Sequence, residues 1–256
     1  MNSSSTPPKH RLLPIYLIST ANSHAAGEAL HTLPTLPGAQ DASRDALNTS
    51  HIERNLHALG IASTHIDAEE LINSAQLAPE QFTHALVFVA DIEALTHLHQ
   101  HFPAWHDFVD TQQVKVVLAA HSASELEQIS ARGENADTHG IIAGIYGIVV
   151  SQREAINAIT AEKLNSLRTH ARASSLWYLI HSFGSGAAAI EPDHDVALIG
   201  TFECNIANTC GVDEAFIAGT LNGLAQGWQL TKVARFGSYV ASGVAEQPGD
   251  FLDIGD

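Results

Sequence analysis

The chain of 256 residues has little cysteine and little positive charge, and each shortage excludes a class of protein. Its two cysteines, Cys204 and Cys210, are too few for a disulfide framework or a site built from several thiolates. Twelve lysines and arginines stand against 28 aspartates and glutamates, giving a formal net charge of −16. Such a charge repels nucleic acid and anionic membranes, so we expect neither to be a partner.

Long apolar runs are also absent. No stretch approaches the roughly 18 consecutive apolar residues of a membrane span. The first residues, MNSSSTPPKHR, are polar and lack the apolar centre of a secretory signal. We therefore expect a cytoplasmic protein in which residues 1–11 form a disordered tail and residues 12–256 form a single domain.

Short apolar runs alternate with segments of helical composition along the chain. The apolar runs, typical of strands covered on both faces, are 15–18, 85–89, 114–118, 147–150, 176–180 and 196–200. Helices are predicted over 93–101, 122–131 and 152–171, and the stripe Leu230, Val233, Ala234, Gly237 and Ala241 predicts one more. This alternation predicts an α/β fold with a mainly parallel sheet sandwiched between helices.

A turn of small and acidic residues, NTCGVDE, begins at Asn208 and leads into a helix expected from about Ala215. Backbone N–H groups and the positive end of the helix dipole make such a turn suited to anions. An ordinary capped helix has the same residue types in its first turn. The turn alone therefore leaves both interpretations open.

The segment NTCGVDEAFIAGTLNGLAQGW resembles the C-terminal signature of the ribokinase (PfkB-type) carbohydrate kinase family, D-T-x-G-A-G-D-A-F-x-x-G, without a gap. Other segments fit the family in the same order, among them IYLISTANSH, SHIERNLHALGIAST, GIVVSQREAINAIT and LWYLIHSFGSGAAAI. The resemblance implies a ribokinase-like fold. It also implies transfer of the ATP γ-phosphoryl group, with magnesium, to a sugar or related alcohol.

The resemblance assigns roles within the turn, and this chain departs from the signature at several of them. Glu214 matches the general base, and Gly211, Val212 and Asp213 match the amides of the anion hole. Asn208 stands where the signature has its first Asp. The extra methylene of Glu214 displaces its carboxylate, and Asp213 adds negative charge where a phosphate must approach. Asp213 would act as base only in a shifted turn.

Similar departures occur at the other ligand positions that the resemblance implies. Ser151 and Glu154 match the family's phosphate and magnesium element N-x-x-E, with Ser151 in place of the Asn. The substrate positions correspond to Asn22 and His24 after the first strand and to His51 at the first long helix. Losses at so many ligand positions indicate that the fold was retained while the chemistry was not.

The family's small β-lid covers the sugar and often builds the dimer contact. Part of the lid lies between the first long helix and the strand matched here by 85–89. In this chain only residues 64–83 fill that interval, and they have the pattern of helix and loop. We expect a reduced or absent lid, and a monomer or a dimer not built through a lid clasp.

The stretch THLHQHFPAWH raises two separate questions. His97 and His101 are one helical turn apart with His99 and His106 nearby, yet no carboxylate or cysteine completes a familiar metal-ligand set. This favours solvated surface histidines and no metal. Trp105 is either part of an exposed recognition patch or a side chain that packs on the sheet.

Three functions are therefore weighed. The leading hypothesis is a degenerate carbohydrate-kinase homologue, with little or no phosphotransferase activity, that binds a protein partner or a small-molecule ligand. The alternative is an active carbohydrate kinase that uses ATP and Mg, with Glu214 or Asp213 as its base. The third is a nucleotide or metabolite sensor that binds without turnover.

Overall fold

The structure, a computed structural model, describes residues 12–19, 47–120, 144–151 and 159–253. Eight strands form one sheet in the order β2-β1-β3-β4-β5-β6-β7-β8. The strands are β1 Ile15–Ser19, β2 Ser63–Asp67, β3 Leu86–Val89, β4 Lys115–Ala120, β5 Ile145–Ser151, β6 Trp177–Ser182, β7 Gly186–Ile190 and β8 Ala197–Ile199. Strands β1 to β6 are parallel, while β7 is antiparallel to both β6 and β8. This confirms the predicted α/β class and mainly parallel sheet.

Helices cover both faces of this sheet. The α-helices of the described residues are α1 Thr49–Ala58, α2 Ala68–Leu77, α3 Ile92–His101, α4 Trp105–Gln112, α5 Ala161–Ser174, α6 Val212–Ala225 and α7 Leu230–Ala245. Apolar side chains of α1, α6 and α7 share a buried cluster with one face of the sheet. Those of α2 to α5 share a second cluster with the other face. The sheet is therefore buried between two helical layers, as its continuous apolar strands require.

Each of the six predicted apolar runs overlaps a strand, whereas β2 and β7 were not predicted. β2 is an edge strand in which only Ile66 is fully buried, so its sequence STHID carries no apolar run. β7 is entirely buried, but its sequence GAAAI consists mostly of residues with low strand propensity. Tertiary pairing, rather than local sequence preference, determines both strands.

The predicted start of α6 is wrong by three residues, and the helix start predicted at 152 lies outside the described residues. Helix α5 begins at Ala161 because the side chain of Thr160 caps it by accepting a hydrogen bond from Lys163 N. Helix α6 begins at Val212, three residues before the predicted start, because Gly211 adopts the left-handed conformation at its N-cap. The helix predicted over 122–131 lies outside the described residues.

Helices α6 and α7 pack closely enough that glycines are needed between them. A Cβ atom on Gly219 would lie 2.8 Å from the Cα atom of Gly237. The predicted apolar stripe of α7 is buried throughout, which confirms that prediction. This contact fixes α6, and with it the turn at the N-terminus of α6.

Residues 64–83 contain most of β2, all of α2 and the 3₁₀ helix Pro79–Phe82. This described interval therefore adds an edge strand to the main sheet and contains no separate lid sheet.

Trp105 is 1% exposed and contacts the rings of Phe102 and Phe108, so the packing interpretation is correct. None of the helices in the described ranges is long and apolar enough to cross a membrane. The predicted tail, 1–11, lies outside those ranges.

Candidate functional site

The turn 208–214 lies at the carboxyl ends of β5 and β6. Ser151, the last residue of β5, and His181, the fifth residue of β6, both approach Asp213 at the start of α6. Ligands of open α/β sheets bind at this edge. The fold thus places the turn at the ligand-binding edge of the sheet.

Gly211 is needed in this turn for two reasons. Its φ of +74° lies in the left-handed region, which glycine adopts without steric cost. A Cβ atom here would also lie 1.8 Å from the backbone oxygen of Asp250. Val212, the next position of the predicted anion hole, is buried among the apolar side chains of the α6 and α7 layer.

The carboxylate of Asp213 is bound by a residue that we predicted for a different role. The hydroxyl of Ser151 donates a hydrogen bond to Asp213 Oδ1. His181 Nδ1 lies 3.8 Å from the same oxygen, and the His181 ring stacks on Phe216 with centroids 4.0 Å apart. The Asp213 side chain is still 50% exposed. The turn therefore presents a negative charge at the edge of the sheet.

Glu214 connects the start of α6 to the start of α1. Its Oε1 atom accepts a hydrogen bond of 3.1 Å from the backbone N–H of Asn48, the N-cap residue of α1. Burial raises the pKa of the Glu214 carboxyl. The hydrogen bond from Asn48 opposes this shift, and the neighbouring charges of Asp213 and Asp250 add to it.

The C-terminal segment, residues 246–253, packs against the other side of the turn. Asn208 Nδ2 donates to the carbonyl oxygens of Gly249 at 3.1 Å and Pro248 at 3.5 Å. His51 of α1 lies with its Nε2 atom 3.2 Å from Asp250 Oδ2. His51, a predicted substrate residue, is thus 9% exposed and in contact with the chain's own C-terminal segment.

The structure brings together some of the predicted site residues. The turn and its contacts unite Gly211, Val212, Asp213, Glu214 and Ser151. His51 contacts Asp250, whose backbone oxygen lies beside Gly211. The other predicted residues, namely Asn22, His24 and Glu154, lie outside the described ranges. Their roles stay predictions.

Three residues of the site were not identified from the sequence. His181 follows an apolar run, and only its position at the end of a strand points to a site. Asn48 acts through its backbone N–H, which leaves no signal in the residue type. The backbone oxygen of Asp250 lies beside the turn, and its carboxylate lies beside His51. Asp250 is distant in sequence from both.

We expect the substitution Glu214→Gln to change how stability depends on pH. A raised pKa means that folding disfavours the ionised carboxyl group. As the pH rises, the unfolded chain releases this proton first, so wild-type stability falls until the pH passes the folded-state pKa. Glutamine cannot ionise and retains an acceptor for the Asn48 N–H. The stability of Glu214→Gln relative to wild type should therefore increase as the pH rises above about 4, where the unfolded chain begins to ionise.

Urea unfolding at a series of pH values measures this difference. Glu203→Gln, at an exposed position between β8 and α6, controls for the loss of one negative charge. A difference between Glu214→Gln and wild type that is constant with pH would show that the carboxyl group is not disfavoured by folding.

We expect Asn208→Asp to destabilise the protein, although aspartate is the residue of the family signature. The new carboxylate oxygen would replace an amide that donates to two carbonyl oxygens, leaving three oxygens facing one another. Losing the donor and adding this repulsion at a solvent-exposed contact should cost about 0.5–1.5 kcal/mol. Urea unfolding measures the change, and Asn165→Asp on the exposed surface of α5 is the matched control. Equal stability of the two variants would contradict the role of the amide.

No protein-family model matches the sequence, and no curated protein matches it. Solved structures do match. Arabidopsis thaliana ribokinase, solved with ribose and ATP, matches with a TM-score of 0.59 at 10% identity, over 95% of this chain and 96% of the ribokinase. The tetrameric inhibited form of phosphofructokinase-2 from Escherichia coli gives 0.59 at 10% identity, over 91% and 94% of the two chains. Adenosine kinase from Sinorhizobium meliloti gives 0.56 at 10% identity, over 94% and 96%.

At such low identity the similarity is informative about the fold alone. The chain therefore has a ribokinase-like carbohydrate-kinase fold.

Proposed function

We propose that the chain is a degenerate carbohydrate-kinase homologue with little or no phosphotransferase activity. It acts by binding a protein partner or a small-molecule ligand, in the cytoplasm, as a monomer or as a dimer without a lid clasp. The observation that supports this most strongly is the half-exposed carboxylate of Asp213, which Ser151 holds at the N-terminus of α6. A dimer joined through a β-clasp would contradict the proposed assembly.

The charge of Asp213 opposes phosphoryl transfer directly. Backbone N–H groups at a helix N-terminus stabilise the negative charge that develops on a transferred phosphoryl group. Here the first turn of α6 already contains Asp213 and Glu214, which offset the helix dipole themselves. A phosphate entering the turn would meet a like charge instead of an electropositive surface. The residues present do not fit the triphosphate of ATP.

The position of Glu214 opposes base catalysis. A general base must lie within hydrogen-bond reach of the substrate hydroxyl. The carboxylate of Glu214 is partly buried and accepts the N–H of Asn48, so it bridges α6 and α1. Using this group as a base would require breaking that bond or sharing it with the substrate.

One observation favours the alternative, an active ATP-dependent carbohydrate kinase. Burial raises the pKa of Glu214, and a carboxyl group with a raised pKa is a better proton acceptor near neutral pH. In that case ATP and Mg would be cofactors and Glu214 the base. Asp213 would then have to move away from Ser151 when the nucleotide binds.

The rate of ADP formation distinguishes the two functions. The purified protein would be incubated with ATP, magnesium and separate sugars or nucleosides, including ribose and adenosine, and ADP would be measured over time. The proposal predicts that no acceptor raises the rate above that of ATP alone. Saturable, acceptor-dependent ADP formation would establish the alternative.

A further inference from the structure

The histidines His97 and His101 lie on helix α3, away from the candidate site. The imidazole rings of His97 and His101 are adjacent, with centroids 4.3 Å apart and planes inclined by 37°. His97 is half-buried and His101 is exposed. Both rings belong to the C-terminal half of the helix.

The helix holds this pair firmly in place. Leu95 and Leu98 are fully buried in the sheet-facing core. At the other end, the Asp91 side chain caps α3 by accepting a 2.6 Å hydrogen bond from Ala94 N. The two imidazoles are therefore presented from a fixed backbone, which lowers the entropy lost when both bind one ligand.

Two imidazoles one turn apart on a helix form a chelating pair for metal ions. Imidazole nitrogen suits Cu²⁺, Ni²⁺ and Zn²⁺, and the i, i+4 spacing puts both rings on one face. His101 lies in the last turn of α3, where the negative end of the helix dipole favours a cation. The net charge of −16 also attracts cations to the protein.

We propose that His97 and His101 form a bidentate surface site for a divalent transition-metal ion. In the described part of the chain no group of three or more His, Cys, Asp or Glu side chains is arranged to hold a metal. In the proposed site, water or an external ligand completes the coordination. The neighbouring His99 belongs to a different contact, since its ring lies against His106 and Trp105. The site is independent of the proposed function.

Binding is tested first by thermal stability. A ligand that binds the folded chain raises the melting temperature in a saturable way. Ni²⁺ and Zn²⁺ should each produce such a rise, whereas Mg²⁺ and Ca²⁺, which prefer oxygen ligands, should not. His97→Gln and His101→Gln should each weaken the binding at least about tenfold, because either change removes the chelate.

His57→Gln is the matched control, since His57 is also an exposed histidine in the last turn of a helix. It should leave the metal response unchanged. The Cu²⁺ electron paramagnetic resonance spectrum of the folded protein provides a second readout. One equivalent of Cu²⁺ should couple to nitrogens of two imidazoles, and the coupling should fall to one in either single variant.

The proposal is overturned if the His97→Gln and His101→Gln variants respond to Ni²⁺ and Zn²⁺ as the wild type does. It is also overturned if the first equivalent of Cu²⁺ shows the same nitrogen coupling in both variants. Because neither histidine touches the candidate site, kinase activity or its absence does not affect this test.

Discussion

The double substitution D213G/E214D is expected to leave the protein without efficient phosphoryl transfer, as is the wild type. The change removes the carboxylate from the turn and restores the length of the base, and each of these groups normally affects rates by orders of magnitude. The groups of an active site nevertheless act as a unit, so restoring two members recovers little while others are altered. Ser151 and His51 stay altered in this variant.

The experiment compares wild type, D213G, E214D and the double variant in acceptor-dependent ADP formation. Urea unfolding of each variant shows whether the turn remains folded without the contacts of Asp213 to Ser151 and of Glu214 to Asn48. Robust turnover by the wild type would refute the proposed function. Turnover by the double variant alone would show that Ser151 and His51 do not prevent catalysis.

The substitution Gly211→Ala should destabilise the protein by about 2–5 kcal/mol. Left-handed backbone costs a non-glycine residue about 1–2 kcal/mol. The new methyl group would also lie 1.8 Å from the backbone oxygen of Asp250, so either the turn or the segment 246–253 must move. Overpacking of this kind typically costs a further 1–3 kcal/mol, roughly. Urea unfolding measures the sum.

Gly227→Ala is the matched control for this prediction. Gly227 has a φ of +70°, close to that of Gly211, but a Cβ atom there would meet nothing within 4 Å. Its free energy of unfolding should therefore fall only by the cost of left-handed backbone for alanine, about 1–2 kcal/mol. Equal losses for the two glycines would show that the C-terminal segment does not press on the turn.

Most of the sheet could be predicted because its central strands are buried on both faces. β3, for example, consists of four fully buried residues, and such a run has one plausible place in an α/β fold. The edge strand β2 and the alanine-rich β7 could not be predicted, since pairing with neighbours rather than residue type determines them. Helix starts depended on caps that composition does not reveal, as with Thr160 and Gly211.

The turn at residues 208–214 could be predicted from the sequence, but its contacts could not. The signature-like segment correctly indicated the turn before α6. The hydrogen bond between Ser151 and Asp213 joins residues 62 positions apart, and that between Asn48 and Glu214 joins residues 166 apart. Such pairs depend on how β5, α1 and α6 meet in the fold. The sequence showed which ligand positions had changed, and only the fold shows which partners those residues have instead.

The response of the melting temperature to ATP and magnesium tests the central claim most directly, because that claim is that the turn no longer accepts a triphosphate. Specific binding to the folded chain must raise the melting temperature. A ligand at 100 times its dissociation constant adds about 2.7 kcal/mol to the free energy of unfolding. Magnesium alone at equal ionic strength controls for screening of the charge of −16. We predict that millimolar ATP with magnesium leaves the melting temperature within error of this control. A saturable rise in the wild type above this control would contradict the account, because the turn would then accept the phosphate despite its carboxylate.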